Sequence, residues 1–370
     1  MRRFFLGFLA LLLLNTSCDS DSSEVQQVTT YNAAAYLQDV LNNQIIPDYT
    51  AYTTLTEDLV TAKDNFISDA SEANLTALRT AYKEAYLGFQ TVMFYGIGAA
   101  DTSNYYLFMN SYPTSTEVNP SSAVGISTID VNIENEVTAS GLTGTNSQPV
   151  QGYPAVDYLL YGLGDTSAAI LDALSEKHLA YLSVLIDKID SEADTLLTDW
   201  QTTYGVQFTS NTSSSSTGSP NLFFNAFTYA FENYLRRQKI DIPSAAKVGD
   251  IDSSKIESVY QDDFSKELFV AAFEKFETLY IGTGVEGEVS FSDLIISLDR
   301  TDLDTKIKNQ IAAVYTQLET NNPSFKDEID NNILNILTLR DRVHDIVESL
   351  KIDVKSTFNF TINWADSDGD

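Results

Sequence analysis

The stretch Ser71–Phe94, SEANLTALRTAYKEAYLGFQTVMF, places Leu75, Leu78, Tyr82, Ala85, Tyr86 and Phe89 three or four residues apart. That spacing puts all six on one helical face and the polar residues between them on the other. Ser71 stands at the N-cap position, although Asn74 occupies the place where a capping box would have Glu or Gln. The same period recurs along the chain. Tyr31–Ile46 and Asp48–Ile67 read as two helices separated at Pro47. Ala168–Trp200, Asn221–Ile240, Ser254–Ile281, Thr301–Glu319 and Ser324–Ile352 follow, with a weaker pattern over Ala123–Val137. The fold class is therefore mainly α. Only the tail departs from it: Phe358, Phe360, Ile362 and Trp364 alternate, the period of an extended strand with one buried face.

The first of these helices has an echo further along. AYKEAYLGFQTVMFYGIG and LFVAAFEKFETLYIGTG align Tyr82 with Phe269, Ala85 with Ala272, Tyr86 with Phe273, Phe89 with Phe276 and Thr91 with Thr278. Between the two copies, ASGLTGTNSQPVQG (Ala139–Gly152) is rich in Gly, Ser, Thr and Pro, the composition of a boundary. The expected organisation is a helical bundle over residues 31–138, a linker and junction over 139–166, a second bundle over 167–352 and an extended tail over 353–370. Thr209–Pro220, TSNTSSSSTGSP, is a polar low-complexity loop that composition alone reads as disordered.

Acidic residues dominate the surface chemistry. Against 22 Lys and Arg stand 52 Asp and Glu, a formal net charge of −30. Such a chain repels phosphate backbones, so nucleic acid is not an expected partner, and it attracts cations instead. At the amino terminus, Arg2 and Arg3 precede the apolar run Phe4–Leu14, too short to span a bilayer but suited to a secretory signal. The run ends in LNTSC, and Cys18 is the only cysteine. This resembles a bacterial lipoprotein signal: residues 1–17 are removed and Cys18 carries the lipid. The aliphatic residue usual three positions before the cysteine is Asn15 here. Residues 18–30 then form an acidic tether. The expected location is the cell envelope, lipid-anchored at the outer membrane and facing either the periplasm or the exterior.

At the junction stands GYPAVDYLLYG (Gly152–Gly162). Pro154 suits the first turn of a helix, where its missing N–H goes unused, and Asp157 is favoured near the positive end of the helix dipole. Ala155, Val156, Tyr158, Leu159 and Leu160 would form a short buried helix, ended by Gly162 or Gly164. The aromatic cluster Tyr95, Tyr105, Tyr106, Phe108 and Tyr112 admits two readings, core packing or the wall of a cleft that stacks on a planar ligand. The ligand-pocket candidates are Tyr153, Pro154, Asp157, Tyr161, Tyr95 and Tyr112.

These residues resemble the imelysin-like family of bacterial envelope proteins, which includes iron-regulated lipoproteins and a supposed insulin-cleaving peptidase. The resemblance runs through IIPDYTAY (Ile45–Tyr52), YKEAYLGFQ (Tyr82–Gln90), NSYP (Asn110–Pro113) and the junction. It continues through FENYLRRQKIDIP (Phe231–Pro243), KIESVYQDDFS (Lys255–Ser265) and a terminal DSDGD (Asp366–Asp370). It implies two helical bundles around a cleft and an association with iron or haem. Metal-binding members have G-x-H-x-x-E at the junction, where this chain has Gly152, Pro154 and Asp157. Many also have a glutamate and a nearby arginine after the stretch matching GFQT, which here continues with Val92 and Tyr95. Proline has no donor atom, and a lone carboxylate is a weak metal ligand without imidazole or thiolate partners.

Other candidate sites are thinner. Asp341, His344 and Glu348 share a helical face and are weak candidates for a metal. His178 stands beside Glu176 and Lys177 and is expected to be exposed. GTGVEG (Gly282–Gly287) follows a helix rather than a strand, so it is a helix-ending loop and not a nucleotide site. DSDGD resembles the first half of a calcium loop without its distal glutamate. No cofactor is assigned: iron, haem and calcium are compatible with the chain, and no residue pattern in it supports them. The expected function is a non-catalytic imelysin-like binding lipoprotein serving iron or haem acquisition, with an outer-membrane uptake partner. A metallopeptidase of the imelysin type and a structural envelope protein are the alternatives, and peptidase chemistry is disfavoured by Pro154.

Overall fold

Helices form broadly where the spacing places them, but their breaks fall elsewhere than the sequence suggests. In a computed structural model that describes residues 31–110, 134, 150–245, 251–261 and 264–364, α1 (Ala33–Val40) does not stop at Pro47. It widens into a π-helical turn over Leu41–Ile45, closed by the Ile46 amide on the Leu41 carbonyl, and continues as α2 (Ile46–Ser68). The wide turn restarts the hydrogen-bond register, so Pro47 falls in the first turn of α2, where it withholds nothing the helix needs. Ser71 caps α3 (Glu72–Val92) through the Asn74 amide, as its position predicts. Two short helices follow, α4 (Ala99–Thr102) and α5 (Tyr105–Met109).

The junction stretch is helical throughout. It begins as α6 (Gly152–Asp157) and widens over Tyr158–Gly162. Gly152 has φ +69°, and a Cβ there would lie 2.1 Å from the Met109 carbonyl oxygen. Only glycine fits that corner, which presses α6 against the end of α5.

Beyond it come α7 (Ser167–Ala173), α8 (Glu176–Thr202), α9 (Tyr204–Ser210) and α10 (Ser219–Tyr229). The single helix expected over Ala168–Trp200 is thus two, because Ser175 starts a new one with a capping box. α10 continues as a wide helix over Ala230–Asp241. Then follow α11 (Phe264–Ile281), α12 (Phe291–Ser297), α13 (Thr301–Thr320), α14 (Phe325–Asn331), α15 (Ile333–Glu348) and α16 (Lys355–Phe358).

α2 packs between α3 and α8, while α15 packs on α13 and on the wide helix 230–241; α3 and α11 meet between these groups. α8 lies beyond the junction in sequence yet packs along α2. Its apolar stripe, with Leu182, Leu185, Ile189 and Leu196 buried, matches the α2 face that carries Leu59 and Phe66. The described residues from 31 to 364 share a contiguous apolar core. The two repeat helices, α3 and α11, pack against each other.

Three expectations change. The tail makes no strand among the described residues. The chain stays helical to Phe358, and the alternation beyond it is satisfied by side chains. Asn221 and Asn225 of α10 act as a substitute ladder. Their oxygens accept from the Thr361 and Asn363 amides at 2.7 and 2.8 Å, and both their amide groups donate to the Thr361 carbonyl. Within Thr209–Pro220, whose ends belong to α9 and α10, residues 211–218 form a closed loop rather than a disordered one, with the Ser219 amide bonded back to the Asn211 carbonyl and the Asn211 side chain to the Thr217 carbonyl. His178 is buried as the third residue of α8; its Nδ1 takes part in the Ser175 cap and its Nε2 lies 2.9 Å from Glu134 Oε1. Residues 1–30, with the signal, Cys18 and the tether, lie outside the described residues, as do Tyr112, most of Ala123–Val137 and Asp366–Asp370.

Candidate functional site

The first turns of α6 aim Asp157 inward, towards a loop a hundred residues away in sequence. Its Oδ1 accepts from the Gln261 amide at 2.7 Å and the Ser258 hydroxyl at 3.0 Å, and its Oδ2 accepts from the Tyr260 backbone amide at 3.4 Å. The Tyr82 hydroxyl lies 3.4 Å from Oδ1, shared with the Tyr153 carbonyl at 3.1 Å. Burial pushes the carboxyl up to about 6, against the hydrogen bonds that favour its charged form. Ser258 holds φ +55°, unusual for a residue with a Cβ, and its bond to Asp157 helps fix that turn. The carboxylate is a fastener between the junction helix and the 258–261 turn.

Tyr153 is consumed in the same way. Its ring stacks on Tyr86 at 4.4 Å with planes 4° apart, and its hydroxyl joins those of Tyr52, at 2.8 Å, and through it Tyr105. Pro154 is buried in the core beside it. Tyr161 is half-buried under the Arg79 guanidinium, 4.6 Å above its ring, while that arginine also donates to the Leu160 carbonyl. Tyr95 is buried and bonds Asp48, whose carboxylate also pairs with Lys275 Nζ at 2.7 Å; burial and that neighbouring charge push its phenol well up. Val92, the residue after GFQT in α3, has no exposed surface.

A second buried network lies near the first, and the sequence singles out none of its members as a site residue. Lys239 of the wide helix donates to Glu257 and, at 2.8 Å, to Gln90 Oε1. Glu257 Oε1 also accepts from Asn110 at 2.7 Å and from Gln90 Nε2 at 3.3 Å. Both carboxylates, Asp157 and Glu257, act electrostatically on Tyr82, and with burial as the larger cause they push its phenol well up. Gln90, Asn110, Lys239 and Glu257 all fall inside the quoted family stretches, and that placement is the one signal available for them.

Asp341, His344 and Glu348 do not converge on a point. Arg340 pairs with Asp341 at 2.8 Å, the Arg236 guanidinium lies 2.7 Å from His344 Nδ1, and His344 Nε2 faces Glu348 at 3.3 Å. Among the described residues no group of three His, Cys, Asp or Glu side chains is arranged to hold a metal ion. The junction donor set does not fit one either: a proline without a donor, a carboxylate already surrounded by donors, and a valine.

The open space lies elsewhere. A groove of about 870 Å³ runs between α2, α3 and α11, and none of the described pocket candidates lines it.

An all-α protein whose junction motif is largely buried is the class that this fold and site define. The family model described as Imelysin matches residues 45–350, and the chain belongs to that family. Its fold is shared with an imelysin-like protein from Psychrobacter arcticum 273-4, at 16% identity and a TM-score of 0.72, over 90% of this chain and 99% of that one. A protein from Parabacteroides distasonis ATCC 8503 that carries the name iron-regulated protein A precursor is similar at 17% identity and a TM-score of 0.69, over 88% and 95% of the two chains. No curated protein matches the chain.

Proposed function

We propose that this imelysin-family chain is a non-catalytic binding lipoprotein of the cell envelope, linked to iron or haem acquisition. The observation that carries the non-catalytic part is the state of the junction. Zinc or iron catalysis needs about three protein ligands and an open position. Pro154 offers no donor, and Asp157 is enclosed by Gln261, Ser258, Tyr260 and Tyr82. A carboxyl held at about 6 has the acidity of a general base. It is fully buried and hydrogen-bonded on both oxygens, so a substrate would have to displace its partners.

The iron link draws on the name carried by the Parabacteroides distasonis relative, and the envelope location on the lipoprotein-like sequence around Cys18. Among the described residues no helix is long and apolar enough to cross a membrane, so the acyl chains would be the anchor, at about 0.8 kcal/mol per buried CH₂. Two measurements on the source cells test the reading together. Abundance of the protein should rise when iron is chelated, and Cys18→Ala should leave an unprocessed precursor or release the chain from the membrane fraction. Constant abundance with and without iron would remove the iron link; a Cys18→Ala chain that stays with membranes in high salt would remove the anchor.

A further inference from the structure

The groove between α2, α3 and α11 is walled by the two repeat helices, and the aligned pair Thr91 and Thr278 both face it. Its floor is apolar, formed by Leu55, Leu87, Val270 and Ala271. Gly88 lets the floor close: a Cβ there would lie 2.7 Å from Leu55 Cδ1, so the small residue lets α3 settle onto α2. A volume of about 870 Å³ falls in the range of small-molecule sites.

The charges around it are unevenly committed. Both groove lysines are engaged within the protein. Lys275 is buried and pairs with Asp48 at 2.7 Å, while Lys266 donates to the Leu318 and Asn321 carbonyls at 2.9 and 2.8 Å. The carboxylates of Glu84, Glu267 and Glu274 are exposed along the same groove, and none of them makes an ion pair with a described residue. Apolar floor, acidic rim and cations turned away together select for one kind of occupant. We propose that the groove binds an organic cation: an apolar body lying on Leu55, Leu87, Val270 and Ala271, with a protonated amine held among Glu84, Glu267 and Glu274. The same rim repels ligands that carry carboxylates. This inference does not rest on the iron link, and amine affinity and iron-dependent abundance fail separately.

Titration of the full chain with 2-naphthylmethylammonium, followed by calorimetry, tests it. Saturable one-to-one binding is expected, at least tenfold tighter than 2-naphthoate, which has a similar body and the opposite charge. Tetramethylammonium, a charge without an apolar body, should bind without saturation to the acidic surface. Ala271→Trp fills the floor and should abolish the site. The combined Glu84→Gln, Glu267→Gln and Glu274→Gln variant changes only exposed side chains and should weaken binding tenfold or more while melting as the unaltered chain does. Equal binding of naphthoate, no saturable binding of the amine, or unchanged affinity in the glutamine variant would overturn the proposal.

Discussion

Asp157 shows how far a single residue can be read. Its place in the junction motif is visible in the sequence, and so is its setting near a helix start. Its partners are not, because Gln261 and Ser258 lie about a hundred positions away and nothing local announces them. Contacts of that kind are set by tertiary packing, on which local pattern is silent. The consequence is a pH dependence with a definite sign. Burial raises this carboxyl from 3.8 to about 6, so the stability it contributes is full below pH 3.8 and is lost as the pH rises through about 6. The displacement corresponds to on the order of 3 kcal/mol. Asp157→Asn cannot ionise. The unfolding free energy of the variant should therefore gain on that of the unaltered protein by roughly this amount between about pH 3.5 and about pH 7.5. Urea melts across that range measure it, and a difference that stays flat with pH would show that the carboxyl is not held as described. Asp157→Ala, by contrast, leaves the Ser258 hydroxyl and one Gln261 N–H buried without their acceptor, while the Gln261 amide still donates to Ser258 Oγ at 2.9 Å, and should cost about 1–3 kcal/mol for each lost acceptor.

Elements are more legible than their ends. The period of three and four finds α3, α11, α13 and the long helices around them, because a buried face must repeat with the helix. Breaks are misjudged where a special turn intervenes. Pro47 looks like a stop, but a π-helical turn absorbs it; Ser175 looks internal, but its hydroxyl starts α8. The tail departs from its pattern for an instructive reason. Alternation reports that one side of an extended segment is buried and not what satisfies its backbone. Phe360 does pack on Phe224, with ring centres 4.9 Å apart, and Trp364 on Tyr229 at 5.4 Å. The polar partners are the amides of Asn221 and Asn225 rather than a neighbouring strand. Asn225→Ala should therefore unpair the Asn363 amide and speed its hydrogen exchange by about tenfold or more, with α10 itself little changed. Exchange at Asn363 that does not respond would mean that the ladder does not hold the tail.

For the whole molecule, composition sets the charge and the repeat marks two helices that pack together. The net charge of −30 makes loose attraction of divalent cations a property of the entire surface. Loose attraction is screened by salt, whereas a built site with several ligands is not. The repeat suggests two bundles in succession. Across that division α8 packs on α2, and α3 and α11 pack against each other. Sequence order cannot reveal that crossing, because a helix with a suitable stripe can pack on either half. The central claim is that the junction between the repeat helices is a structural fastener and not a metal centre. Elemental analysis of the purified chain, dialysed against salt and then against buffer, tests it most directly. The expected result is far less than one equivalent of zinc or iron, unchanged by Asp157→Asn. Near-equimolar metal that survives the salt and is lost in that variant would contradict it.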